Sequence, residues 1–171
     1  NINTDLIAGL PTDTPESFKN SLDSIVRLNA ECITVHTLCM KRASRLTTEG
    51  VTLDLQQARD AREMLAYTQN ILGQNEYIPY YMYRQSRMVG NLENVGWSKK
   101  GFESLYNVYV MDETHTILAC GSGGVTKLKR NNPDYLERIF NFKYPYEYID
   151  RFPHVLEQKE ALRNLPFEHR F

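Results

Sequence analysis

No Cys-x-x-Cys pair occurs among the three cysteines of this 171-residue sequence, Cys32, Cys39 and Cys120. An odd count without that spacing argues against a disulfide framework and against a zinc ribbon, and fits a reducing cytoplasm. Charge of one sign is also missing. With 20 basic and 21 acidic side chains the formal net charge is −1, so there is no bulk attraction to nucleic acid or to a membrane surface. No apolar run approaches the ~20 residues of a membrane helix, and no basic segment leads into an apolar one near the start. Neither a span nor a signal peptide is visible, and the chain reads as soluble. Repeats, low-complexity tracts and an initiator Met are absent as well.

What is present is a globular mixture, 42% hydrophobic and 24% charged, with a heavy load of 11 Tyr and 7 Phe gathered mostly after residue 77. That shift in texture near Gly73 predicts two domains, residues 1–75 and 76–171. The stretch Ile2 to Ala8 has the length and apolar character of a strand, stops at Gly9 and turns through Pro11. Pro15 to Leu28 reads as an amphipathic helix, with Asp13 or Thr14 as N-cap, Glu16 completing a box with Asp13, and Phe18, Leu22, Ile25 and Val26 on one face. Cys32 to Leu38 is β-branched, as a strand covered on both faces tends to be. Strand, helix and strand so closely spaced predict a parallel βαβ unit, which needs further strands beside it. The chain is therefore expected to be a piece of a longer protein.

A basic loop from Cys39 to Leu46 and a helix from about Asp54 to Leu72, stopped by Gly73, complete a βαβα order. Beyond it, Tyr77 to Arg84 reads as a strand with Pro79 marking an edge, and Asn91 to Trp97 as a loop. Leu105 to Met111 and Thr116 to Cys120 read as an antiparallel hairpin. Gly121-Ser122-Gly123-Gly124 turns out of it, and helices begun by Asn132-Pro133 and Pro153 close the chain. The predicted class is α/β, the first domain followed by a smaller α+β one.

Asp5 is the odd residue in its strand, since an ionised carboxylate among apolar neighbours needs a partner. It reads either as a structural hydrogen-bonding group or as an acceptor for a ligand's ammonium or hydroxyls, with Gly9 letting the backbone approach. The glycine cluster lacks the spacing of a dinucleotide fingerprint or a P-loop. It retains exposed backbone groups that suit a compact polar ligand. His36 reads as a satisfied core histidine and His115 as solvated. The scattered basic residues Arg42, Arg45, Arg84, Arg87, Lys127, Lys129 and Arg130 read singly as a solvated rim and together as a surface for a planar polycarboxylate. Tyr80, Tyr81, Tyr83 and Tyr106 are the candidate ligand-facing aromatics.

The segment Asp5-Leu6-Ile7-Ala8-Gly9-Leu10-Pro11 resembles the fifth-strand motif of the radical S-adenosylmethionine enzymes of the oxygen-independent coproporphyrinogen III oxidase family. Gly90 to Trp97, Ser104 to Asn107, Gly121 to Lys127 and Pro145 to Ile149 are similar to its HemZ-like branch, in this order. The resemblance implies a partial (β/α) barrel holding a 4Fe-4S cluster and S-adenosylmethionine, with a C-terminal domain that helps close the site. It implies a cytoplasmic oxidoreductase of haem biosynthesis, in which a 5′-deoxyadenosyl radical takes a hydrogen from a porphyrinogen propionate that then loses CO₂ to become vinyl. By position, Asp5 would contact S-adenosylmethionine, Gly9 would lie by its adenine, Cys39 beside the ligand, and Val125 near a second ligand. The substrate would be a porphyrinogen-like polycarboxylate, and a reducing electron donor is implied; no nucleic-acid or membrane partner is.

The sequence departs from the family at one point: its Cys-x3-Cys-x2-Cys triplet is absent, so these residues do not ligate the cluster and would be inactive alone. The isolated piece would expose its first strand as an edge and self-associate. Two other readings stand beside this one, a haem-trafficking protein of the same superfamily and a non-catalytic interaction domain.

Overall fold

Alternation along Asn3–Ala8 makes the first strand, β1, whose Leu6 and Ala8 join the core while Asn3, Asp5 and Ile7 turn the other way. The computed structural model describes residues 1–40, 54–85, 88–129 and 135–163. Helix α1, Pro15–Leu28, opens with a proline in its first turn and a capping box between Thr14 and Ser17, and ends at Asn29 in the left-handed conformation. The box partner is Ser17 rather than the expected Glu16, because only N3 is placed to reach back to the cap of Thr14. Strand β2, Cys32–Thr37, then pairs parallel with β1 from Asn3 opposite Cys32 to Ala8 opposite Thr37, and the predicted βαβ unit is present.

Helix α2, Leu55–Gln74, is opened by a box between Asp54 and Gln57 and runs through Gly73 rather than stopping there. Asn75 ends it, its backbone and side chain both donating to the Ile71 carbonyl, and Glu76 takes the positive φ of 64° that the glycine was expected to supply. Burial of Leu72 holds the last turn in place around an exposed glycine.

Strands β3, Tyr77–Tyr83, and β4, Asn94–Lys99, are antiparallel, and β4 also pairs antiparallel with β2, giving the order β1-β2-β4-β3. Pro79 sits on the edge strand as expected, at a register shift between Pro79 and Tyr81. The segment expected to be a loop, Asn91 to Trp97, instead contributes most of β4. Its Gly96 is a packing residue: a Cβ there would fall 1.8 Å from Cε1 of Tyr81. Phe18 and Leu22 of α1 and Met64 and Leu72 of α2 cover one face of this sheet, closing on Ala8, Ile33, Val35, Tyr77 and Trp97.

The chain divides into compact units at Asn1–Met111 and Asp112–Phe171, not near Gly73. The reason is the ladder between β2 and β4, which ties the aromatic stretch to the first sheet. Leu105–Asp112 is a helix, α3, and not the first arm of a hairpin. Apart from Asn107 and Asp112 its residues are apolar or aromatic, and none is buried, so the sequence carried no stripe of helical period. The supposed second arm contributes only an isolated bridge between Ile117 and Lys127.

In the second unit the antiparallel pair is β5, Val125–Lys129, with β6, Leu136–Phe140. Asn132 and Pro133, expected to begin a helix, lie outside the described residues, and the next element along the chain is the strand β6. Helices α4, Pro145–Asp150, and α5, Phe152–Arg163, complete the unit. Among the described residues no helix is long and apolar enough to cross a membrane.

Candidate functional site

Helices α1 and α2 pack on one face of the four-stranded sheet, and the face those two helices leave uncovered carries the polar side chains. On that face the register of β1 and β2 sets Asn3 beside Cys32 and Asp5 beside Thr34, and β4 adds Gly96 opposite Thr34. Asp5 therefore lies within β1, three residues before its end, rather than at the strand terminus. Its side chain is 59% exposed and that of His36 29% exposed.

Polar side chains on this face connect across three strands. Asn3 Nδ2 donates to Asp5 Oδ1 at 3.1 Å, and Thr34 Oγ1 donates to Asn3 Oδ1 at 3.2 Å. The hydroxyl of Tyr81 lies 3.2 Å from the same Thr34 oxygen. On the other side His36 Nε2 is 3.5 Å from Asp5 Oδ1, and His36 Nδ1 is 3.3 Å from the hydroxyl of Tyr83. Tyr81 and Tyr83 are two residues apart on β3, so their rings point to the same face and stack in parallel, 6.4 Å between centroids at 4°. Burial pushes both phenols above the usual tyrosine range, so each keeps its proton at neutral pH and can donate.

The anticipated site residues separate. Asp5 is on the uncovered face. Gly9 and Cys39 leave the C-terminal end of the parallel pair, where Leu38 N donates to the Ala8 carbonyl at 2.9 Å. Asp5 precedes Gly9 by four residues, about 13 Å of extended chain. Gly9 has φ 84°, donates its N–H to Met64 Sδ at 3.3 Å, and would bring a Cβ within 3.2 Å of Ala61 Cβ, so helix α2 already explains it. Cys39 forms a bridge with Met88. Val125 opens β5 in the second unit.

Two expectations are corrected here. His36 is no core histidine but a member of the polar network. The glycine turn does not hold its amides out for a ligand: Gly123 N donates to the Phe142 carbonyl at 2.8 Å, Gly124 N to the Gly121 carbonyl at 3.3 Å, and Gly121 N to the Tyr148 hydroxyl at 3.3 Å. Of the basic residues, Arg84 pairs with Glu93 at 2.6 Å and Lys127 with Glu113 at 3.0 Å, whereas Arg42, Arg45, Arg87 and Arg130 lie outside the described residues. Tyr80 accepts from Asn107 Nδ2 at 2.8 Å, and Tyr106 is exposed on α3.

Reasoning from sequence missed Asn3, Thr34 and His36 as a group. The available signal was polar residues at every second position of two strands, Asn3 with Asp5 and Thr34 with His36. A cavity of about 360 Å³ on the helix-covered side, lined by Arg62, Leu65, Gln69, Leu92 and Trp97 among others, holds no comparable network.

The residues fit one of the two implied cofactors. Asp5 offers a small-molecule donor an acceptor oxygen, Oδ2, that has no partner among the described residues. Cys32 is buried against the Phe102 carbonyl at 3.1 Å, with burial pushing its thiol up, while Cys120 belongs to the other unit. Among the described residues no three His, Cys, Asp or Glu side chains gather.

No protein-family model matches the chain. Over 159 residues, 93% of its length, it is 38% identical to the oxygen-independent coproporphyrinogen-III oxidase-like protein HemZ of Bacillus subtilis (strain 168). It spans 32% of that protein. Among solved structures it is similar in fold to the coproporphyrinogen III oxidase HemN from Escherichia coli, described as a radical SAM enzyme, with a TM-score of 0.52 and 17% identity over 87% of this chain and 34% of that one. The chain is thus similar to about a third of HemZ, in the part that carries its first-strand motif and glycine turn.

Proposed function

We propose that this chain is part of a radical S-adenosylmethionine oxidoreductase of haem biosynthesis that decarboxylates porphyrinogen propionates to vinyl groups. In this reading β1 and β2 are strands of a partial (β/α) barrel, and their uncovered face is its inner wall. Asp5 contacts S-adenosylmethionine, Gly9 and Cys39 flank it at the end of the parallel pair, and Val125 approaches a second ligand. The 4Fe-4S cluster is held by protein outside these 171 residues, and bound there it supplies the electron that makes S-adenosylmethionine a source of radicals. The residues described here bind and orient: Asp5 accepts from the ligand, and Tyr81 and Tyr83 wall the face with neutral phenols.

One observation carries the reading. The aspartate of the family-like motif lies in a parallel strand pair, on the face that α1 and α2 leave uncovered, with an oxygen that has no partner among the described residues. The test uses the full-length protein, purified and reduced without oxygen, supplied with coproporphyrinogen III and S-adenosylmethionine. Vinyl product with matching 5′-deoxyadenosine is the expected result, and the 171-residue chain alone should give neither. Stoichiometric haem binding with no turnover would overturn it in favour of a carrier.

A further inference from the structure

Two series of polar contacts on the uncovered face end on the same atom. With the imidazole proton on Nε2, His36 accepts from the Tyr83 hydroxyl at Nδ1, 3.3 Å away, and sets its N–H 3.5 Å from Asp5 Oδ1. On the other side the Tyr81 hydroxyl lies 3.2 Å from Thr34 Oγ1, Thr34 donates to Asn3 Oδ1, and the Asn3 amide donates to Asp5 Oδ1 at 3.1 Å. Both series therefore reach Asp5 at Oδ1, through Asn3 and His36, while Oδ2 has no partner among the described residues. Tyr81 can lie where it does because Gly96 leaves room for its ring.

We propose that His36 and Tyr83, with Thr34 and Asn3 on the other side, are positioning residues that fix the Asp5 carboxylate by one oxygen and present the other to the ligand. A carboxylate engaged at Oδ1 presents Oδ2 to a hydroxyl or ammonium donor and repels an anionic group. The recognised chemistry is a donor-bearing ligand such as the hydroxyls or ammonium of S-adenosylmethionine, with a porphyrinogen carboxylate excluded from this atom. This inference rests on the proposed function, in which the uncovered face receives that ligand.

The test measures the dissociation constant of S-adenosylmethionine by equilibrium dialysis against the full-length, cluster-loaded protein, with S-adenosylhomocysteine as an unreactive second probe. Replacing His36 by Phe removes both ring nitrogens and should weaken binding about tenfold, the fold-change of one charge-assisted hydrogen bond. His36→Gln, whose amide can occupy the place of Nε2, should restore most of it, and Tyr83→Phe should fall between. A purely structural histidine would not be rescued by Gln. Unchanged binding in both His36→Phe and Tyr83→Phe, with Asp5→Asn still impaired, overturns the inference and leaves the proposed function standing. Unchanged binding in Asp5→Asn overturns both. Should His36→Phe fail to retain its cluster, Tyr83→Phe and Thr34→Val decide the matter, since each removes one hydroxyl and keeps the shape.

Discussion

The first sheet has two faces built from alternate residues of the same strands, and each solves a different problem. On one, Ile33, Val35, Tyr77 and Trp97 meet Phe18, Leu22, Met64 and Leu72 in a packed apolar layer. On the other, Thr34 and Asn3 lead by hydrogen bonds to Asp5, His36 stands 3.5 Å from the same carboxylate oxygen, and an acceptor is left unused. The covered face gains from removing apolar area from water, so its side chains are set by volume. The uncovered face is set by direction, because a donor must meet an acceptor and each misplaced partner leaves a polar group unpaired. A period of two lets six-residue strands serve both at once.

Stability should separate the faces most strongly. Ile33→Ala, beneath both helices, is expected to lower unfolding free energy by about 2–5 kcal/mol, read from the shift in denaturant midpoint. His36→Phe should change that midpoint far less; a loss as large as that of Ile33→Ala would break the contrast. Next in size is Gly96→Ala, where the added methyl collides with the Tyr81 ring. It should cost about 1–3 kcal/mol. Combined with Tyr81→Ala, the cost should be less than the sum, and strict additivity in that double-mutant cycle would show that the ring does not lie over β4. Thr14→Ala should cost about 1 kcal/mol by removing the cap of α1, with a local rise in amide exchange over the first turn.

The smallest effect concerns the second unit and sharpens the same distinction between volume and direction. The hydrogen bond from Lys127, aided by Arg138, holds the Glu113 carboxyl below its usual range. A carboxyl depressed on folding adds stability above its unfolded pKa and loses it as the pH falls through the folded one. The acid limb of a stability-versus-pH curve should therefore be slightly shallower in Glu113→Gln. The change is small because the pair lies near solvent. An unaltered acid limb would remove Glu113 from the account.

Legibility tracked the range of the interactions involved. The span of α1 could be read from Pro15 to Leu28 because the proline, the cap and the apolar stripe are all local. Strand β4 was hidden because Gly96 looks like a loop residue until the Tyr81 ring, fifteen positions earlier, is placed above it. Helix α3 was hidden because Leu105 to Met111, interrupted only by Asn107, shows no apolar stripe of helical period. Asp5 could be singled out as a charge in a strand, but His36 could not be distinguished from a core histidine. Only the register shows that it stands beside Asp5 and reaches Tyr83. The role of the glycine turn was misjudged because its amides find partners in Phe142 and Tyr148, some twenty residues on.

By itself the sequence determined the parallel βαβ unit, the oddity of Asp5 and the kinship that its first motif announces. These depend on side-chain period, caps and residue identity, which operate over a few neighbouring positions. The tertiary structure alone decided which face of the sheet helices α1 and α2 cover, where the chain divides, and that an asparagine and a histidine, backed by a threonine and two tyrosines, meet at one oxygen of Asp5. Those outcomes arise from contacts between residues tens of positions apart, where strand order and register, and not composition, determine what meets what.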